Sequence, residues 1–144
     1  MNRNRVGSVD PQAPGHRFLF LRRPKLHVEA LDALFAAAWG APKPGYDRVL
    51  AHSFTWVTAS SGDELVGFTN VAWDGDAHFF LLDTTVHPKW QRQGIGRRLV
   101  EEAIEACRGH GEWLHVDASQ ELMAGFYQTC GFEATSAGLI SLRR

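Results

Sequence analysis

The sequence predicts a mixed α/β (α+β) domain in which a mostly antiparallel central sheet is flanked by helices. Three strand-like segments follow one another across short polar turns, which is typical of antiparallel hairpins. Amphipathic helices alternate with further strands on both sides of these segments. The resulting order, β-α-β-β-β-α-β-α-β, is that of an antiparallel meander extended by crossover helices. At 144 residues, the chain has the size of one domain.

The individual elements follow from apolar periodicity and from turn residues. Residues 1–16 contain two prolines and two glycines without an apolar pattern, so they are expected to form a flexible arm before a single domain over 17–144. Leu122, Met123, Phe126 and Cys130 are expected to face the core. In chain order the prediction is a strand at 18–21, a helix at 28–39, a loop at 40–46, strands at 54–59, 64–73 and 78–86, a helix at 95–108, a strand at 113–116, a helix at 121–130, and one or two strands within 132–142.

Composition and charge narrow the classes of function. Fifteen basic and sixteen acidic residues leave a formal charge of -1, which disfavours nucleic acid or an anionic membrane as the partner. Cys107 and Cys130 form neither a disulfide framework nor a zinc-ligand pattern. The apolar runs are too short to span a bilayer, and the polar start lacks the apolar stretch of a signal peptide. We therefore expect a cytoplasmic protein that binds a small molecule and no metal.

The most informative stretch is 86–99, where a strand leads through a loop into a helix at Gly94 and Gly96. A helix N-terminus presents unpaired N–H groups and partial positive charge, and glycines let a phosphate approach the backbone. Several basic residues lie in this stretch. They could simply form exposed ion pairs with glutamates one helical turn later, but a bound polyanion accounts better for the whole group of basic residues. The basic residues of this stretch are Lys89, Arg92, Arg97 and Arg98.

Two familiar phosphate motifs do not fit this turn. A P-loop would end in Gly-Lys-Ser/Thr, which is absent. A dinucleotide-binding fingerprint matches Gly94 and Gly96 and finds an acidic residue, Asp117, near the expected distance. However, Leu99 replaces the third glycine, and the preceding strands are predicted to be hairpins rather than a βαβ unit. We reject both alternatives.

Two motifs together resemble the GNAT (GCN5-related N-acetyltransferase) superfamily. Gln91-x-x-Gly94-x-Gly96 is similar to that superfamily's acyl-CoA pyrophosphate turn, and residues 124–132, AGFYQTCGF, resemble its A-x-x-F-Y-x-x-x-G-F signature with one residue fewer after the alanine. Residues 65–68 resemble its central strand. The resemblance covers about residues 18–142. It implies the GNAT fold, a sheet split between two strands near the acyl-CoA site, and acetyl-CoA as the acyl donor.

The resemblance also implies roles for particular residues. Val86 would offer backbone groups to the pantetheine arm and the acetyl group, and Tyr127 would stand near the thioester sulfur. Glu121 occupies a position where members often have asparagine, so the amide contact made there is not carried over. The backbone amides that would cradle the pyrophosphate are those of Gln91, Arg92, Gln93, Gly94, Ile95, Gly96 and Arg97.

The implied activity is transfer of an acetyl group from acetyl-CoA to a primary amine by direct attack in a ternary complex. The amine must lose a proton, and the departing thiolate must gain one. Tyr127 is the expected proton donor. Asp83 is the first candidate base, because desolvation on an apolar strand would make its carboxylate more basic. A purely structural Asp83 is the alternative of equal weight, and His115 or Asp117 acting through water is a further one.

The acceptor is the least specified part of the prediction. We expect a small-molecule amine, while an aromatic amine, a protein N-terminus and a homodimer stay open. A non-catalytic module that binds or senses CoA is the alternative function. Five aromatic residues fall in segments that, by the resemblance, approach the acceptor; core or dimer contacts are the preferred explanation for them over an aromatic pocket. They are Trp39, Tyr46, Phe54, Trp56 and Trp73.

Overall fold

The computed structural model describes residues 17–144, so the predicted N-terminal arm lies outside the described residues. The elements up to the last helix follow the predicted order, with one short helix in addition, and the predicted C-terminal strand is missing from the described residues. The elements are β1 (Leu19–Arg22), α1 (Val28–Trp39), α2 (Tyr46–Ala51), β2 (Ser53–Ser61), β3 (Glu64–Trp73), β4 (His78–Val86), a 3₁₀ turn (Pro88–Trp90), α3 (Ile95–Cys107), β5 (Trp113–Val116) and α4 (Gln120–Leu122). No helix in this described part is long and apolar enough to cross a membrane.

The strands form one sheet in the order β1-β2-β3-β4-β5. The first four strands pair antiparallel, and β5 pairs parallel to β4, which confirms the mixed, mostly antiparallel sheet. The turn between β3 and β4 is closed by the Asp74 carboxylate, which accepts the backbone N–H groups of Asp76 and His78 at 2.8 and 3.1 Å. These hydrogen bonds lower the pKa of Asp74. β5 ends opposite Leu81, so the last residues of β4 extend beyond it.

A bulge interrupts β4 shortly before its end. The register with β3 passes from Asn70 opposite Leu82 to Phe68 opposite Thr85. Two residues of β4, Asp83 and Thr84, therefore face a single residue of β3, which is the pattern of a β-bulge. Asp83 has a φ of 55°, in the left-handed region that non-glycine residues seldom adopt. The bulge changes which face of the sheet each following side chain meets.

Two apolar clusters cover the two faces of the sheet. The first lies under α3 and includes Val57, Val71, Phe79, Leu81, Leu99 and Val100. The second lies under α1 and α2 and includes Leu31, Leu34, Phe35, Tyr46 and Phe68. α3 approaches the sheet closely at Gly67, where an added Cβ would come within 2.9 Å of Ile95 and 3.0 Å of Leu99. A glycine at this position of β3 is thus required by packing.

Two predictions about the chain near the helices were wrong. The predicted loop at 40–46 ends one residue too late, because Tyr46–Ala51 form the short helix α2, which the sequence did not predict. The last helix is not a regular α-helix, because α4 continues into a π-helical turn, Met123–Tyr127, and a 3₁₀ turn, Gln128–Cys130. The wider π turn changes which side chains face inward. Of the residues predicted to face the core, Leu122 is 54% exposed, whereas Met123, Phe126 and Cys130 pack against the cluster under α3, in which Tyr127 is also buried.

The predicted C-terminal strand is also absent from the structure. Residues 132–144 have no regular secondary structure, and no strand pairs with them in the described part of the chain. Leu139, Ile140 and Leu142 are between 80% and 89% exposed. Their apolar pattern suggested a buried strand, but a strand requires a neighbour that supplies hydrogen bonds and a covered face.

Candidate functional site

The glycine turn joins the end of β4 to the first turn of α3. Gly94 is the N-cap of α3 with a φ of 80°, and no side chain caps the helix. The first hydrogen bond of the helix runs from the Arg98 N–H to the Gly94 carbonyl at 3.1 Å. The N–H groups of Ile95, Gly96 and Arg97 therefore point away from the helix end, as expected of an uncapped N-terminus. This arrangement provides donors for an anion.

The basic side chains at this helix start are engaged in ion pairs. Arg97 contacts Glu101 at 2.9 Å, and Arg98 contacts Glu102 at 3.0 Å. Glu102 is also 2.7 Å from Arg22 of β1, and the hydrogen bond from Arg22 is the main reason that the pKa of Glu102 is lowered. The pairs that sequence analysis weighed as an alternative are thus formed. Because such exposed pairs are weak, the backbone donors are the more important part of this turn.

Polar groups inside the turn are arranged around the end of β4. The Gln91 side-chain amide donates to the Val86 carbonyl at 3.3 Å. The Gln93 side-chain nitrogen is buried and has no hydrogen-bond partner among the described residues. Gly96 lies against Val86 and Phe126, since an added Cβ would be 3.5 and 3.4 Å from their side chains. A buried donor without a hydrogen-bond partner is unusual, and a bound ligand is one explanation for it.

A group of polar side chains around the Asp83 carboxylate, here called the carboxylate cluster, lies at the bulge on the face covered by α1 and α2. The Asp83 carboxylate accepts a hydrogen bond from the Tyr46 hydroxyl at 2.9 Å and forms an ion pair with Lys43 at 3.0 Å. Both contacts involve the same carboxylate oxygen, Oδ2. Tyr46 is fully buried, and burial followed by the nearby Asp83 charge raises its pKa. Asp83 therefore does not sit in purely apolar surroundings, as the sequence suggested, but holds an ammonium and a phenol.

Asn70 adds an unsatisfied amide to this carboxylate cluster. It lies on β3 opposite Leu82 and is 1% exposed. Neither its side-chain nitrogen nor its side-chain oxygen has a hydrogen-bond partner in the described structure. The amide is close enough to Tyr46 to act against the rise of that tyrosine's pKa. A buried amide without partners is costly, so a ligand that supplied them would be stabilised here.

A second cluster, of hydroxyl groups, lies at the same bulge on the face covered by α3. The Thr69 and Thr84 hydroxyls are 2.7 Å apart. Tyr127, 8% exposed, packs edge-to-face on Phe132 at 5.6 Å. Burial raises the pKa of Tyr127, and the Thr84 hydroxyl acts in the opposite direction. Tyr127 thus keeps its proton at neutral pH.

The structure brings the other candidate bases to a different place. His115 on β5 is 2.7 Å from His78 and stacks on Phe80 at 4.9 Å. In the parallel register His115 lies beside Phe80, three residues before Asp83 on β4. Asp117 follows β5 directly. Of the three candidates, Asp83 is the one that lies within the bulge itself.

The five aromatic residues do not form one pocket. One group lies at α1, where Phe35 stacks on Trp39 at 4.3 Å and meets Tyr46 at 5.1 Å. Another lies at the far ends of β2 and β3, where Phe54 meets Trp73 at 5.1 Å. Trp56 packs with the cluster under α1. Packing is thus the main role that the structure gives these side chains.

Sequence reasoning missed the partners of the candidate base. Lys43 and Asn70 were not singled out, and Tyr46 was treated only as one aromatic residue among five. The contacts of Asp83 with Lys43 and Tyr46 join residues 40 and 37 positions apart in the chain. No local pattern signals such pairs. The only available hint was a lysine between two prolines in the loop before Tyr46.

Comparisons with known proteins agree with the fold and the glycine turn. The model of the acetyltransferase (GNAT) family matches residues 25–132. The chain is 31% identical over 96 residues to the N-alpha-acetyltransferase RimI of Mycobacterium tuberculosis, covering 64% of this chain and 61% of the relative. It is 32% identical over 114 residues to the chloroplastic serotonin N-acetyltransferase 2 of Oryza sativa subsp. japonica, covering 74% and 56%.

A solved structure supports the same assignment. A GNAT-family acetyltransferase from Streptococcus pneumoniae superposes with a TM-score of 0.78 at 28% sequence identity, and the match covers 89% of this chain and 99% of the other. The two curated relatives are longer than the matched region, which spans less than two thirds of either.

Proposed function

This chain belongs to the acetyltransferase (GNAT) family, and we propose that it transfers an acetyl group from acetyl-CoA to a primary amine. Residues 17–144 would act as one catalytic domain. The observation that carries the proposal is the junction of β4 and α3. There an uncapped helix N-terminus with two glycines follows the end of a strand whose bulge carries the Asp83 carboxylate on one face of the sheet and Thr84, next to Tyr127, on the other.

The proposed donor site uses the backbone of the glycine turn. The N–H groups from Gln91 to Arg97 would bind the pyrophosphate of CoA, with the helix dipole adding to the attraction. The buried Gln93 amide would gain a hydrogen-bond partner there. Val86 would bind the pantetheine arm through its backbone, with the Gln91 side chain moving off the Val86 carbonyl. The acetyl group would then lie near the bulge.

The proposed reaction proceeds by direct attack, without a resident metal. Asp83 would take a proton from the acceptor ammonium, whose nitrogen then attacks the thioester carbon. The bulge leaves Asp83 and Thr84 outside the regular ladder, and backbone N–H groups near the end of β4 would bind the oxyanion of the tetrahedral intermediate. When the carbon–sulfur bond breaks, the CoA thiolate would receive a proton from Tyr127. These two side chains would work from opposite faces of the sheet.

The acceptor is proposed to be a small-molecule amine. The two curated relatives carry names that point to different acceptors, since one is an N-alpha-acetyltransferase and the other a serotonin N-acetyltransferase. A carboxylate beside a buried phenol and an unsatisfied amide suits any primary ammonium. A cytoplasmic location is part of the proposal, because both Cys107 and Cys130 are free thiols.

Thermal-shift titration with CoA and acetyl-CoA tests the donor site. We expect both ligands to raise the melting temperature, and Gly94→Glu to abolish the shift because a carboxylate would then compete with the pyrophosphate. Gly109→Glu is the matched control, since Gly109 also has a φ of 80° and open space around it but lies after α3 rather than before it. A shift that survives Gly94→Glu would contradict the proposed donor site.

Release of CoA thiol from acetyl-CoA with a panel of primary amines tests catalysis. The panel would include tryptamine, a linear alkylamine and a peptide with a free N-terminus. We expect turnover with at least one of them. The non-catalytic CoA-binding module would be favoured by two results together. The protein would bind acetyl-CoA without turning over any amine of the panel, and Tyr127→Phe would bind acetyl-CoA as well as the wild type.

A further inference from the structure

We propose that Lys43 occupies the place of the acceptor amine in the empty enzyme, and that the protein acetylates its own Lys43 when acetyl-CoA is bound without an acceptor. The inference rests on the proposed function. It adds a modification site and assigns a role to a residue that no sequence motif includes.

The position of the Lys43 ammonium is the first argument. Its Nζ lies 3.0 Å from Asp83 Oδ2, the atom proposed to accept the proton of the acceptor. It also lies 5.5 Å from the centre of the Tyr46 ring, within the range of a cation–π contact. A carboxylate and an aromatic face together form a site for a primary ammonium. In the acceptor-free protein the chain's own lysine fills that site.

The backbone around Lys43 is the second argument. Lys43 stands between Pro42 and Pro44 in the connection from α1 to α2, and the rings of these prolines restrict the backbone on both sides. The lysine side chain is still 48% exposed, so it retains room to move along the sheet surface. A constrained backbone combined with a long, partly exposed side chain keeps the amine near Asp83 without fixing it there.

The third argument is the short separation along β4 between the proposed base and the residue proposed to bind the pantetheine arm. Asp83 and Val86, the residue proposed to bind the pantetheine arm, are separated by two residues of β4. Lys43 contacts Asp83 across 40 residues of sequence, so the fold and not the local chain delivers the amine to this point. Holding two reacting groups side by side replaces a bimolecular encounter with an intramolecular step.

The chemical step is balanced by groups already named. Asp83 takes one proton from the Lys43 ammonium, and the neutral Nζ forms a bond to the acetyl carbon. The carbon–sulfur bond breaks, the CoA thiolate takes a proton from Tyr127, and the new amide nitrogen loses its second proton to solvent. Tyr127 and Asp83 return to their starting states by exchange with water. The products are N-acetyl-Lys43, CoA thiol and one released proton.

The chain provides its own internal controls, because its only lysines are Lys25, Lys43 and Lys89. Lys25 lies in the exposed connection between β1 and α1. Lys89 lies in the 3₁₀ turn, with its ammonium 5.3 Å from the ring of Trp90. Neither is paired with Asp83. Uncatalysed acetylation by the thioester would therefore modify these two lysines as readily as Lys43, or more readily.

The experiment incubates the full chain with acetyl-CoA in the absence of any amine and measures acetylation of each lysine by peptide mass spectrometry over time. We expect Lys43 to react at least about tenfold faster than Lys25, at a rate independent of protein concentration, which is the sign of an intramolecular step. Asp83→Asn should lower the rate at Lys43 to that at Lys25 and leave Lys25 and Lys89 unchanged. Lys43→Arg keeps a cation near Asp83 and should remove the specific mass gain.

Three results would overturn the inference in distinguishable ways. If Lys43 reacts no faster than Lys25 while amines of the panel still release CoA, self-acetylation is wrong and the proposed function stands. If the rate at Lys43 rises with protein concentration, one molecule modifies another and the intramolecular step is wrong. If no amine releases CoA and Lys43 shows no preference, both proposals fail. The comparison between lysines is made within the wild-type protein, so it does not depend on the folding of any variant.

Discussion

The two tyrosines of this chain lie on opposite faces of the sheet at the same bulge, in environments that differ in one respect. Tyr46 is fully buried and donates its hydroxyl to the Asp83 carboxylate. Tyr127 is almost as buried but lies beside the neutral Thr84 hydroxyl. Burial is the main reason that the pKa of each is raised. The hydroxyl of Tyr46 is therefore committed to the Asp83 carboxylate, whereas the hydroxyl of Tyr127 is not bonded to a carboxylate.

The largest effect is expected from removing the carboxylate itself. Asp83→Asn keeps an oxygen for the Tyr46 hydroxyl but can no longer accept a proton, so kcat/KM for an accepted amine should fall by roughly 10³. The measurement is steady-state CoA release over a range of amine concentrations. Acetyl-CoA affinity, measured by thermal shift, should stay within about twofold, because the glycine turn is untouched. A variant that retained wild-type turnover would exclude Asp83 as the base.

The next largest effect is expected from a substitution of Tyr127, on the face of the sheet covered by α3. Tyr127→Phe removes the proposed proton donor but keeps the ring that packs against Phe126 and Phe132. We expect kcat to fall by roughly 10² while the melting temperature changes little. The loss should be smaller for an acyl donor whose leaving thiol has a lower pKa, since such a thiolate needs less protonation. Equal losses with both donors would show that Tyr127 does not protonate the leaving group.

Tyr46→Phe should reduce stability more than turnover, which is the reverse of the result expected for Tyr127→Phe. The substitution leaves Asp83 without the phenol hydrogen bond inside the protein, and a hydrogen bond to a charged group contributes about 1.5–3 kcal/mol. We expect the free energy of unfolding to fall by about that amount in denaturant titration, with a change in kcat of only a few fold. If Tyr46→Phe reduced turnover more than Tyr127→Phe, the division of roles between the two faces would be reversed.

The smallest effect is expected in alkaline titration, in which the ionisation of the two tyrosines can be followed separately by absorbance. Both have pKa values above the unfolded value, so the folded state holds its protons more tightly. The stability contributed in this way is complete below the unfolded pKa of about 10 and is lost as pH rises beyond it, with a slope of up to about 1.4 kcal/mol per pH unit for each group. Because the chain has two tyrosines, tyrosinate absorbance of Tyr46→Phe reports Tyr127 alone, and the reverse holds for Tyr127→Phe. Tyr46 should ionise at the higher pH.

Periodicity and turn chemistry predicted most of the sheet and the long helices. The bounds predicted for α1, β3, β4 and β5 are those of the structure, because each has a strong apolar pattern and ends at a turn or at a glycine. α2 escaped prediction because six residues are too few for a periodic signal and its N-cap is Gly45, a residue typical of loops. The C-terminal strand was predicted from an apolar pattern of which Phe132 packs against the core, whereas Leu139, Ile140 and Leu142 are exposed.

The site was predictable only where it is local in sequence. The glycine turn and Tyr127 lie in contiguous motifs, and a resemblance could assign them. The environment of Asp83 depends instead on a positive φ at a non-glycine residue and on a register shift between two strands. Neither leaves a mark in composition or spacing. The contacts with Lys43 and Tyr46 then follow from how α1 and α2 pack on the sheet, which is a property of the whole domain.

Gly67 shows how an absent side chain governs the position of a distant loop. The first residue of α3, Ile95, rests directly on the bare backbone of β3 at this glycine, and Leu99 rests on it one turn later. A methyl group there would act as a wedge and tilt the start of α3 away from the sheet. The amides of the glycine turn would then swing out of line with the end of β4. Gly67 thus sets the alignment between the end of β4 and the glycine turn, although it contributes no group to the proposed donor site.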